Sequence, residues 1–175
     1  YHDIEVEDEV TAYLRYSCGA TGVFIGSTGE APGVNRFDII GDKGSLQFDH
    51  GQLTLTLNDQ STAEFNQTTD NMFGMPSSSD SVIEISESVN QHAKVMSNFV
   101  DAILNDTPLI SPAVEGLASL DIANAMLLST WKNSAITLPL NRSEYQQVLD
   151  EKVANSSLRK KSSKEAKIDM AASYR

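Results

Sequence analysis

The sequence predicts an α+β protein: an open, mainly antiparallel β-sheet with helices packed on one face. Three observations predict it. From Gly26 to Leu57 the apolar residues recur at every second position: Phe37 and Ile39, then Leu46 and Phe48, then Leu53, Leu55 and Leu57. A period of two puts each set on one side of a sheet. Gly41, Gly44 and Gly51 fall at the breaks between these runs, where a tight reversal needs a glycine. From about Met96 the period lengthens to that of a helix, and strands followed by helices give α+β.

Val10, Ala12, Leu14 and Tyr16 alternate with Thr11, Tyr13, Arg15 and Ser17, which reads as a half-buried strand. The turn Ser17–Cys18–Gly19–Ala20 leads into a second strand over Thr21–Ser27. There Gly22 and Gly26 flank Phe24, marking either a bulge or room for a ligand or neighbouring subunit. The long loop Ser27–Asn35 interrupts an otherwise tight succession of hairpins. After the run ending at Leu57, Thr62–Asn66 reads as a short strand and Gln67–Ser81 as a loop. Met72, Phe73 and Met75 in that loop are expected to plug the chain's own core. Val82–Ser86 is expected to be the last strand of the first half.

Ser88 and Gln91 make a capping box for a helix whose apolar face is Met96, Phe99, Val100, Ile103 and Leu104. Asn105, Asp106 and Pro108 end it. Ser111–Pro112 opens a helix reaching about Lys132, apolar nearly all round and so expected to be buried on more than one side. Ala135–Leu138 reads as a strand, and Asn141 with Glu144 caps a last helix. The total is about seven strands and two or three helices. Residues 1–155 are expected to form one domain. Thr54, Thr56, Asp38, Ile40, Tyr13 and Arg15 are expected on the uncovered side of the sheet, a place for a partner to dock.

Charge narrows the partners. The chain carries a formal net charge of −11. Residues 156–175 form a basic tail holding Arg159, Lys160, Lys161, Lys164, Lys167 and Arg175 against Glu165 and Asp169. It reads as helical or disordered, either solvated or docked on the acidic body. A body this acidic repels phosphate backbones and anionic membranes, so neither nucleic acid nor membrane is expected as partner. No apolar run approaches the ~18 residues of a spanning helix. One cysteine, Cys18, rules out an internal disulfide. It is expected to be structural, and a reducing, cytoplasmic setting is expected for the protein. The acidic start YHDIEVEDE lacks the basic and apolar regions of a secretory signal, and opening on Tyr1 suggests a piece of a longer chain.

Candidate chemistry is sparse. His2, His50 and His92 are far apart and none has a second ligand one helical turn away, so no metal site is expected. No Gly-x-Gly-x-x-Gly, P-loop or Gly-x-Ser-x-Gly occurs. The loop Thr28–Arg36 gathers a carboxylate, an amide, a guanidinium and two glycines, which suits a polyhydroxylated ligand or a carboxylate. Glu30, Asn35 and Arg36, with His92 at a helix start, are the candidate substrate-binding residues. The plainer alternative pairs Arg36 with Glu30 or Asp38 to pin the hairpin.

Three blocks, VEDEVTAYLRYSCGATGVF (Val6–Phe24), NRFDIIGDKGSLQF (Asn35–Phe48) and HAKVMSNFVDAILNDTPLISPAVEGLASLDIANAMLLSTWKNSAITLPL (His92–Leu140), together resemble the C-terminal domain of the Gfo/Idh/MocA oxidoreductases. The resemblance covers about residues 4–150 in order. It implies the glucose–fructose oxidoreductase type of open sheet backed by helices, with the free face used in homo-oligomers. It also implies a parent enzyme acting on a sugar, cyclitol or related polyol with NAD or NADP. The family's N-terminal Rossmann domain, its Glu-Lys-Pro lysine and its Asp-x-x-x-His histidine have no counterpart in this sequence. No catalytic or cofactor-binding residue is therefore carried over, and this chain by itself is expected to bind no cofactor and to be inactive. The alternative is a non-catalytic binding or assembly module using the same open face.

Overall fold

The computed structural model describes residues 4–85 and 91–157. The chain divides into two compact units. One takes the residues up to Glu30 and from Pro112 onward; the other is Ala31–Ser111. The described elements are strands and helices with every strand pairing antiparallel, an α+β fold.

The first unit begins with a hairpin of β1 (Glu9–Arg15) and β2 (Thr21–Ser27), in unbroken register from Glu9 opposite Ser27 to Arg15 opposite Thr21. No bulge interrupts it. Gly22 and Gly26 face Leu14 and Val10. A Cβ at Gly22 would lie 3.6 Å from the Tyr16 ring, and one at Gly26 would lie 3.4 Å from the Phe24 ring. Both are ordinary van der Waals distances, so a methyl group would fit at either glycine. Cys18 is exposed in the hairpin turn.

Later in this unit, a 3₁₀ turn at Ala113–Glu115 leads into a helix, here termed α3 (Gly116–Lys132), and then α4 (Arg142–Ala154). Asn133 ends α3 in the left-handed conformation at φ 49°, a role asparagine tolerates better than most residues. Asn141 caps α4 by accepting from the Glu144 N–H at 3.2 Å. Among the described residues Ala125, Leu128 and Leu140 are the buried apolar ones, and Trp131, Ile136, Tyr145 and Val148 pack around them. The rings of Trp131 and Tyr145 stack at 5.7 Å.

Two expectations fail here. Ala135–Leu138 forms no strand. Its alternation is satisfied by packing, with Ile136 against the core and Leu140 buried in it. The long helix is not buried on several sides: Leu128 is fully enclosed, whereas Leu117, Leu120 and Ile122 remain exposed.

The second unit is built on a four-stranded sheet in the order β3–β4–β5–β6: Arg36–Gly41, Gly44–Asp49, Gln52–Asn58 and Ser78–Ile83. Phe37 stands opposite Phe48, and Phe48 opposite Leu53; Ile39, Leu46 and Leu55 line up in the same way. The alternation in the sequence thus becomes one apolar side and one polar side. At Gly44 the backbone has φ 139°, and a Cβ there would fall 2.0 Å from the Thr56 carbonyl oxygen. Glycine is required at that crossing.

Thr62–Thr68 is a helix, α1, not a strand. Ser61 accepts from the Glu64 N–H at 3.0 Å and Glu64 reaches back to the Ser61 N–H, a capping box that overrides weak strand propensity. Asp42, in the β3–β4 turn, supplies a second anchor. Its carboxylate accepts from the Ala63 N–H at 2.9 Å and its carbonyl accepts from the Thr62 N–H at 2.9 Å.

Beyond α1, β6 starts inside the segment expected to be loop, because Ser78–Ile83 completes the ladder with Leu53–Asn58. Met72, Phe73 and Met75 do not plug a core: they are 88, 88 and 84% exposed. Their loop is nonetheless held. Asn71 Oδ1 accepts from the Phe73 N–H at 3.1 Å, and the Gly74 N–H donates to the Asn71 carbonyl at 3.0 Å.

The last element of this unit is α2 (Gln91–Asn105). The expected cap Ser88 lies outside the described residues, as do the end of the expected strand at Ser86 and the tail from Leu158. The apolar face of α2, Met96, Phe99, Val100, Ile103 and Leu104, is exposed. Asn98 ties the helix to the following segment, donating to the Pro108 carbonyl and accepting from the Ile110 N–H, each at 2.9 Å.

Candidate functional site

The loop between β2 and β3 leaves its strand under restraint. The Thr28 N–H donates to the Asp8 carbonyl at 2.9 Å, and the Gly29 N–H donates to Ser27 Oγ at 3.1 Å. Gly33 then takes φ 73°. The boundary between the units falls within this loop, so Glu30 belongs to the first unit and Asn35, Arg36 and His92 to the second. All four are exposed. Asn35 directly precedes β3, Arg36 opens it, and His92 stands in the first turn of α2.

Arg36 is bonded within its own strand. Its Nε donates to Asp38 Oδ2 at 2.8 Å, while Gln47 Nε2, directly across on β4, donates to Asp38 Oδ1 at 3.1 Å. Of the two carboxylates weighed from the sequence, Asp38 is the one engaged. Residues two apart on a strand share a side, which places Asp38 beside Arg36. The bond uses Nε and both residues stay partly exposed, so the pair fixes the guanidinium's direction and adds little stability.

The same side of the sheet, where alternation already placed Thr56, carries a further row whose pairings sequence reasoning missed. Thr56 Oγ1 donates to Asp80 Oδ1 at 2.7 Å, joining β5 to β6. At the β4–β5 turn, His50 Nδ1 lies 2.6 Å from Asp49 Oδ1. Asp49 is the register partner of Arg36. The signal was present: with the two-residue turn at Asp42–Lys43 fixing register, Asp38 must face Gln47. This side, with its carboxylates, amides, hydroxyls and one guanidinium, is equipped to hydrogen-bond a polar surface or a polyol.

In the first unit, Arg142 makes a two-pronged contact with Asp121, Nε to Oδ1 at 3.2 Å and Nη2 to Oδ2 at 3.1 Å. That hydrogen bonding, and the charge of Asp121, raise the Arg142 pKa above its ordinary value. The guanidinium is charged throughout the physiological range either way, so this pair joins α3 to α4 without acting as a pH switch. Trp131 Nε1 donates to Glu7 at 3.2 Å, and Ser157 donates to Glu5 through both N–H and Oγ, at 2.9 and 3.0 Å. These bonds tie the start of the chain to the ends of α3 and α4.

Among the described residues no group of three or more His, Cys, Asp or Glu side chains could hold a metal ion, and no helix is long and apolar enough to cross a membrane. The described residues hold no glycine-rich turn between a parallel strand and a helix, a usual cradle of a dinucleotide, since every strand pair among them is antiparallel.

The described residues form an α+β chain of two compact units. Residues 1–138 match the family model described as the oxidoreductase family, C-terminal alpha/beta domain. The chain belongs to the Gfo/Idh/MocA oxidoreductase family. No curated protein matches it.

Proposed function

We propose that this chain is the substrate-side and oligomerisation domain of an NAD(P)-dependent oxidoreductase acting on a sugar, cyclitol or related polyol. The family match over residues 1–138 carries this reading. In it, hydride transfer belongs to the nicotinamide held by an N-terminal Rossmann domain, and this chain contributes substrate contacts. Glu30, Asn35, Arg36 and His92 are the residues assigned to them. Asp38 and Gln47 act through Arg36 by fixing its direction. The setting is cytoplasmic.

The test is a fluorescence titration of the chain with NADH. No saturable binding is expected up to millimolar cofactor. A micromolar Kd would overturn the division of labour proposed here.

A second reading, a non-catalytic assembly module, is favoured by the bare apolar side of the four-stranded sheet, where Phe37, Ile39, Leu57 and Ile83 are all exposed. The coding sequence upstream of Tyr1 separates the two readings. A Gly-x-Gly-x-x-Gly strand–turn–helix with the family's lysine and histidine motifs supports the oxidoreductase. Their absence supports the module. Both readings place a homo-oligomer contact on an open sheet face. Sedimentation should then show a dimer or larger, and a strict monomer at high concentration counts against that contact.

A further inference from the structure

We draw no further inference here: the strongest candidate, the apolar side of the four-stranded sheet together with the bare apolar stripe of α2, carries nothing because no observation in the structure shows what covers either surface.

Discussion

The two units are stabilised by different means. The first has a small enclosed core, with Leu128 fully buried, Ala125 and Leu140 beside it, and a stacked Trp131–Tyr145 pair at its edge. The second has a longer and more regular sheet but no buried apolar residue among those described. Its order comes from the backbone ladder, from Asp42 and Ser61 holding the start of α1, and from the cross-strand bonds of Asp38 and Asp80. Hydrogen bonds contribute only about 1 kcal/mol each after exchange with water, whereas enclosing a leucine contributes roughly 2 kcal/mol. Regular geometry and burial are thus separate properties, and the second unit has far more of the first.

Three substitutions test that contrast. Gly44→Ala should have the largest effect, because the new methyl group would collide with the Thr56 backbone. A loss of about 4 kcal/mol is expected, read as a lowered urea midpoint and as lost amide protection across β4 and β5. Unchanged protection there would mean that the ladder does not hold this unit. Leu128→Ala comes next, at about 3 kcal/mol from lost transfer energy and the cavity left behind. Its effect should centre on the amides of α3 and α4. If the β3–β6 amides lost protection equally, the contrast between the units would collapse. Ser61→Ala removes one cap and should cost about 1 kcal/mol, with fraying confined to α1. A neutral result would show that Asp42 alone suffices to start the helix.

Much of this fold was legible in the sequence, for identifiable reasons. The hairpins were readable because alternation and turn glycines agree, and a two-residue turn leaves one register. The Asn141 cap was readable because a capping side chain acts locally. The strand expected at Thr62–Asn66 was a misreading of a local signal that was present, since Ser61 and Glu64 have capping-box spacing. Five residues are too few to show a helical period. Met72, Phe73 and Met75 misled for another reason: composition predicts that apolar side chains seek cover but does not supply it. The candidate site was legible in part. Arg36 was named with Glu30 or Asp38 as its partner, and Asp38 and Thr56 were placed on the uncovered side by alternation, whereas Gln47 and Asp80 come from other strands and required the register. Glu30 was grouped with Arg36 by sequence proximity, and the boundary between the units separates them.

The bonds from Trp131 to Glu7 and from Ser157 to Glu5 span 124 and 152 residues of sequence. They set a timetable for synthesis. Ala31–Ser111 is continuous and can pair its strands as it leaves the ribosome. Glu5 and Glu7 emerge earlier, but their bonds to Ser157 and Trp131 form only once α3 and α4 have been made, several seconds later at ~5–20 residues per second. Glu5 and Glu7 are thus made well before the residues that complete their unit.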